Sequence, residues 1–365
     1  MLDRQQVYPA NRTHLEVLTD EIGIMQHAIG SLPDPIHGSC TDDVARALQV
    51  DLLHANELGW AAVGVSALRN LAFLAAAFDE GAQTFRNFRS AHGAWLPGPA
   101  SEDSQARAIL ALGEAIAGAP DPAIVSAARS LFERALPVAA RLTALRARAS
   151  VLLGCVAAMG PEPGSPTTVI CRQLAGSYYA MFDISRTEAW PWPEPVLTYE
   201  NALPARALIV AGQAVGNDAM TDTGLRVLDW LIVEQLSSTG HFSPIGNGWW
   251  PVGAAKSQFD QQPIEATSLL LAAESAFSAT SDGRFRAAME RAYSWFLGDN
   301  DLGVALVDPS RGAAFDGLTP GGVNTNQGAE STLMWLTAAA HMHAVGSAPR
   351  GTLSPPRGSL VVAGG

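Results

Sequence analysis

The connections between helical segments alternate in length, and that alternation restricts the fold more than any other feature of the sequence. Alanine and leucine recur at helical spacing, and strand-like alternation is scarce. The periodicity predicts helices near 13–30, 42–57, 60–79, 102–118, 122–136, 138–158, 166–182, 200–216, 220–237, 262–279, 283–297 and 327–345. Short joins, "ELGW", "AGAPDP", "AVGND" and "ATSDG", follow the helices that start at 42, 102, 200 and 262. Long ones precede the helices at 102, 200, 262 and 327: "NFRSAHGAWLPGPA", "DISRTEAWPWPEPVLTY", "SSTGHFSPIGNGWWPVGAAKSQFD" and "NDLGVALVDPSRGAAFDGLTPGGVNTN". Long loops in a compact domain are usually functional.

An all-α (α/α)6 toroid of six inner and six outer helices accounts for the alternation. Inner helices then all start at one end of the barrel, and the long loops share that face. A bundle predicts no such bias, and a solenoid calls for near-identical repeats, which are not present. No helix carries a sustained heptad, which excludes a coiled coil. The reading assigns residues 1–345 to a single toroid domain and 346–365, rich in Gly, Pro and Ser, to a flexible tail.

The inner helices begin "TDDVAR", "SEDSQAR", "TYENALPAR", "FDQQPIEA" and "NQGAEST", whereas the third, "VAARLTALRARASVLL", carries arginines. The acids Asp42, Asp43, Glu102, Asp103, Glu200, Asp260, Glu265 and Glu330 therefore fall at helix starts on one face. Acids there are also favoured for ordinary reasons, by capping and by the helix dipole, at ~0.5–1 kcal/mol each. Arg46 and Arg107 lie four residues after Asp42 and Asp103, the spacing of a routine helix ion pair. Two features favour a site: outer helices show fewer such clusters, and the acids coincide with loops rich in tryptophan. Those loops hold Trp95, Trp190, Trp192, Trp249 and Trp250, five of the nine tryptophans, and an exposed tryptophan calls for a packing or binding partner. Indole faces suit the C–H faces of sugar rings. Gln261, Gln262, Asn324, Asn326 and Gln327 supply amides for hydroxyl groups.

The runs "LTDEIGIMQHA", "PIHGSCTDDVARAL", "SEDSQAR", "WPWPEPVLTYENALPARALI", "FDQQPIEA" and "NQGAESTL" together resemble a family of all-α domains that occur alone or fused to glycosyltransferases in bacterial carbohydrate loci. The resemblance spans most of residues 15–345. It implies an (α/α)6 fold akin to inverting glycosidases, and a possible glycosyltransferase partner. The chain departs from that pattern at Val44, where Asn follows the acid pair, and at Ala106, where Gly precedes the second arginine. Both departures leave the acids in place.

The leading expectation is a glycoside hydrolase acting on an oligo- or polysaccharide. Glycosidic cleavage needs a carboxylic acid and a carboxylate, ~6.5–9.5 Å apart in inverting enzymes. Asp43, Asp103, Glu200 and Asp260 are the catalytic candidates. The substrate-binding candidates are His37, Asp42, Arg46, Glu102, His241 and Glu330, with the tryptophans and the amides Gln261, Gln262, Asn326 and Gln327. A sugar isomerase or epimerase on the same toroid calls for histidine as proton shuttle, and only His37, His92 and His241 lie on the long-loop face. A non-catalytic glycan-binding module keeps the tryptophans without needing the acids. Nucleotide-sugar transfer lacks a Gly-rich phosphate loop and a parallel sheet.

Composition narrows the rest. A net charge of −12 argues against nucleic acid as a partner. The cysteines, Cys40, Cys155 and Cys171, form no metal spacing, and "HMH" at 341–343 splits its histidines across a helix, so neither a metal nor another cofactor is expected. The N-terminus has acids early and no long apolar run, which is unlike a signal peptide. No apolar stretch reaches the ~20 residues of a membrane span. These features together read as a cytoplasmic chain.

Overall fold

The computed structural model describes residues 6–98, 101–160, 162, 164–185 and 187–347. Six helices form the inner ring: α2 (Thr41–Leu58), α4 (Glu102–Gly118), α6 (Leu145–Ala158), α8 (Leu203–Val215), α10 (Pro263–Thr280) and α12 (Ala329–Ser347). Each packs on the next, and α12 returns to α2, so the ring closes. Outside it lie α3 (Trp60–Ala77), α5 (Pro122–Ala135), α7 (Pro166–Ser185), α9 (Asp218–Glu234) and α11 (Gly283–Phe296), each against the inner helix before it. The sixth outer position holds only α1 (Thr13–Leu18), which packs on α12. The chain folds as an all-α (α/α)6 toroid. Strands among the described residues are two- or three-residue pieces, paired two by two in the loops.

Burial follows from side-chain placement. In α6 nearly every residue from Leu145 to Ala158 is buried, as its apolar run from Val151 to Ala158 leads one to expect, and the buried Arg146 is the charged exception that the site uses. The outer α11 instead buries one stripe, including Phe285, Ala288, Met289, Ala292 and Phe296, and leaves its charges outside. Inner neighbours α4 and α6 meet through Gly113 and Gly154; a Cβ on Gly113 would stand 2.2 Å from the Gly154 carbonyl oxygen. By length and composition α3 is the one described helix that could cross a membrane. In the fold its Val63, Ala67, Leu71 and Leu74 are buried as the inward face of an outer helix.

Two expected helices are cut short. The segment 13–30 keeps its helix only to Leu18: the Asp20 carboxylate accepts from the backbone N–H groups of Ile22 and Gly23 and turns the chain. A hairpin, His27–Ile29 with Leu32–Asp34, follows. The segment 138–158 opens as a 3-10 turn (Leu136–Arg141) with Pro137 in its first turn, and α6 begins at Leu145. The start expected at 200 moves to Leu203, with Pro204 in the first turn. Of the expected tail, residues 346–347 still belong to α12, and 348–365 lie outside the described residues.

The N-terminal segment is fixed by a buried charge cluster. The Arg12 guanidinium donates to the Asp51 carboxylate at 2.5 Å and contacts His54 and Ser66, while Asn70 donates to the second Asp51 oxygen. This ties the start of α1 to α2 and α3.

Candidate active site

The N-terminal ends of the inner helices open into a cavity of 460 Å³. Its wall includes Asp42, Asp43 and Arg46 from α2, Ser101, Asp103 and Ser104 from the start of α4, and Glu330 and Ser331 from α12. Loop residues complete it: Gln26 and His27, Asn87 and Phe88, Gln262, Asp316 and Asn324. None of the wall acids is a helix cap. The cap of α2 is the Cys40 sulfur, which accepts from the Asp43 N–H, and that of α4 is Ser101.

Two buried guanidinium groups organise the floor. Arg46 reaches Asp43 at 3.0 Å, Glu330 at 2.8 Å and Asp42 at 3.4 Å. Arg107 reaches Asp42 at 2.7 Å and Glu200 at 2.7 Å. Four carboxyl groups thus share two cations, an excess of acid that favours keeping a proton. It stays on Asp43. Burial pushes this carboxyl up to about 7 against the pull of Arg46, and the charges of Asp42 and Glu330 add to the rise. The Cys40 thiol donates to the other Asp43 oxygen at 3.1 Å. Burial opposes the charge on Arg107, but Asp42 and Glu200 outweigh it and hold the group protonated.

A second layer positions Glu200 and Asp103. Glu200 sits at φ +48°, left-handed backbone, just before α8. Its N–H donates to the buried Glu265 carboxylate, which also accepts from Asn201 N at 3.3 Å and Asn201 Nδ2 at 3.2 Å. Burial raises Glu265 to about 7, with the Asn201 and Glu200 N–H groups working the other way. Next to it, the Tyr199 hydroxyl donates to Asp103 Oδ2. Arg146, from the arginine-bearing third inner helix, donates to the Tyr199 carbonyl and the Asn201 side chain and lies 4.8 Å from the Tyr199 ring centre. That helix therefore serves the site by fixing the 199–201 turn.

The structure gathers some sequence candidates into the cavity and leaves others outside. Asp42, Asp43, Arg46, Asp103, Gln262 and Glu330 line it, and Glu200 stands behind Arg107. Glu102 instead accepts from Thr143 N, Thr143 Oγ1 and Ala144 N, and so supports the entry to α6. Burial alone would raise its pKa, but these donors prevail and lower it. Asp260 is exposed, at φ +58°, and is not part of the wall. Gln261 is a fully buried structural link: it donates to the Gln258 carbonyl and Asp301, accepts from Trp295, and pairs its backbone with Leu318. His241 pairs with Asp301 at 3.0 Å, away from the wall. His37 stacks edge-on against His27 at the rim, with ring centres 4.7 Å apart. Asn326 accepts from Gly30 N, and the Gln327 carbonyl contacts His14, so both hold the rim loops together.

The expectation of a tryptophan-lined mouth needs correction. Trp190, Trp230 and Trp250 pack on one another with ring centres 5.3–6.1 Å apart. The indole N–H groups of Trp190 and Trp250 bond to nearby carbonyls, and Trp192 is buried against Phe182. Trp190 and Trp250 thus dock their loops on Trp230 of the outer helix α9. Trp249 is exposed but absent from the cavity wall, and Trp95 packs on Phe73 in an adjoining groove. Sequence reasoning missed Asp316, Asn87 and His27, which come from loops without a helix-start signal. Among the described residues, no group of three or more His, Cys, Asp or Glu is arranged to hold a metal ion.

No protein-family model matches the chain, and no curated protein matches it by sequence. Solved structures do match in fold. A cellobiose 2-epimerase from Bacillus thermoamylovorans B4167 superposes with a TM-score of 0.69 at 12% identity, over 91% of this chain and 98% of the other. A D-mannose isomerase gives 0.67 at 11%, over 91% and 95%. A GH76 α-mannanase of Bacteroides thetaiotaomicron gives 0.58 at 9%, over 84% and 88%. At such identities the likeness concerns the fold.

Proposed function

We propose that the chain is a carbohydrate-active enzyme that hydrolyses a glycosidic bond in the acid-lined cavity. One observation carries this reading: Asp43, with its carboxyl raised to about 7, stands in the wall of an open polar cavity among carboxylates that share its cations. Such a group still holds a proton near neutral pH and can give it to a leaving glycosidic oxygen. Asp103, oriented through Tyr199, is the carboxylate assigned to activate water. Sugar hydroxyls find partners in Asn87, Ser104, Gln262, Asn324 and Ser331. Toroids that handle sugars by name, hydrolase and epimerase alike, support the substrate class.

The second reading, isomerisation or epimerisation, draws on the His27–His37 pair at the rim and on the epimerase and isomerase neighbours. It ranks lower because the acid cavity is walled mainly by carboxylates, amides and hydroxyls around Arg46, and His27 is the one histidine among its described lining residues. Incubating the purified protein with a panel of neutral saccharides, followed by chromatography and NMR of the products, decides between them. New reducing ends mean hydrolysis, and the first anomer seen reports inversion or retention. A rearranged sugar of unchanged length gives the site to the second reading. No product from any member of the panel counts against both.

A further inference from the structure

We propose that the acid cavity continues into a second saccharide subsite, built by the segment between α3 and α4, and that the substrate is a neutral oligosaccharide. This rests on the reading above, that a sugar occupies the acid cavity. A separate groove of 410 Å³ lies beside that cavity, and Asn87 and Phe88 line both. Together the two spaces are within the range of ligand sites, ~300–1,000 Å³.

The groove has the chemistry of a sugar platform. Phe88 is 41% exposed and Leu96 44%, beside the half-buried Trp95. These apolar surfaces face a polar edge made of Thr84, Asn87 and the Arg86–Asp79 pair at 2.5 Å. An apolar floor with a few polar groups at its margin suits a pyranose ring, whose faces carry C–H and whose rim carries hydroxyls. The platform is also fixed to the acid site. Phe88 pairs in register with Cys40, the residue whose thiol donates to Asp43, and the Phe88 carbonyl accepts from Leu96 N. The Asn87 carbonyl accepts from Thr41 N and its side chain from Ser104 Oγ. Any sugar lying on Phe88 is thereby held in a set position relative to Asp43.

Charge selects the kind of sugar. The acid cavity presents Asp42, Asp103, Asp316 and Glu330 besides the proton-holding Asp43. Arg46 and, from behind Asp42, Arg107 are the cations that answer them, while Arg86 in the groove is already paired with Asp79. Uronate or sulfated units meet repulsion in the first space. Among the described residues that line the second, the cation is the paired Arg86. Arg89, 5.3 Å over the Trp95 ring, donates to the Gly93 carbonyl and does not line the groove. An exposed apolar surface of this kind can also be a protein contact, and the test separates that case.

Binding is measured by calorimetry, on the full chain carrying Asp43→Asn to prevent turnover, with neutral saccharides of one to four units and with uronate-containing ones. Affinity is expected to rise ~10-fold or more from one unit to two or three, an amount consistent with one aromatic stacking contact. Phe88→Ala should flatten that rise, Phe88→Tyr should restore it, and uronate oligomers should bind more weakly at every length. Equal affinity across lengths, or a rise unchanged by Phe88→Ala, overturns the subsite. A length-dependent rise, where the unsubstituted chain releases no sugar from the same saccharides, keeps the subsite and sinks hydrolysis. Hydrolysis without the rise does the reverse, and absence of binding by every saccharide removes both.

Discussion

Asp43 is held between opposing demands: burial favours its neutral form, and Arg46 at 3.0 Å favours its charged one. Burial prevails because Arg46 also serves Glu330 and Asp42. If Asp43 is the proton donor, turnover is high while it stays protonated and falls as pH rises through about 7. Asp43→Asn keeps the shape but cannot donate that proton, so kcat should drop ~10²-fold or more and the alkaline limb should vanish. An unchanged pH profile in the variant would remove Asp43 from the acid role. Asp260→Asn gives the contrasting case. Its side chain is exposed and its φ of +58° suits Asn as well as Asp, so both activity and melting temperature should stay at wild-type values. A tenfold loss of kcat there would return Asp260 to the mechanism. The acids on α2, α4 and α12 were legible in the sequence because a toroid aligns its inner-helix starts. Asp316 was not, since it reaches the cavity from a loop folded across the mouth, where its carboxylate accepts from Gly328 N. The tryptophans misled for a related physical reason. Long loops need an anchor on the helices beneath them, and Trp190 and Trp250 find it in Trp230 of α9.

At the scale of elements, the ring depends on how closely inner helices approach. Gly113 of α4 leaves no room for a methyl group against the Gly154 carbonyl, and a Cβ added to Gly154 would stand 2.8 Å from the backbone at Ile109 and Leu110. Backbone cannot move aside as a side-chain tip can. Gly113→Ala is therefore expected to destabilise the fold by ~1–3 kcal/mol despite alanine's better helix propensity, read as a lower urea midpoint. A gain in stability would mean that the helices separate without cost. Helix type and order could be read from the periodicity. Two boundaries could not, for reasons local to the chain. Asp20 satisfies backbone donors that a longer α1 would use, and Pro137 accompanies the turn of 3-10 helix ahead of α6. The short sixth outer helix was equally hidden, because its place is secured by Arg12 and Asp51, a pair thirty-nine residues apart in sequence.

Across the whole molecule, three buried carboxyl groups couple stability to pH in the same direction. Asp43 and Glu265 are raised to about 7 and Asp51 to about 6, each by burial first, whereas unfolded Asp and Glu titrate near ~4. Between those values the folded chain binds more protons than the unfolded one, so stability declines as pH rises. The contribution is complete below pH ~4 and is lost as pH climbs through about 6 to 7. The melting temperature should be lower at pH 8 than at pH 5, and Glu265→Gln should reduce the difference; an identical slope in the variant would deny Glu265 its part. The ring closure has a further consequence, in time. The backbone of Gln26 receives Ala329, Gly30 receives Gln327, and the Arg311 carbonyl receives His14, so the beginning and end of the described chain are laced together. Gln26 and His27 line the same cavity as Asp316, Asn324 and Glu330. During synthesis the early residues must wait, roof unfinished, until residues near 330 have emerged from the ribosome. The site thus closes only after both ends of the ring have been made. A chain stopped short of Asp316 would carry most of the helices and the α2 and α4 side of the cavity, but not the side made by Asp316, Asn324 and Glu330.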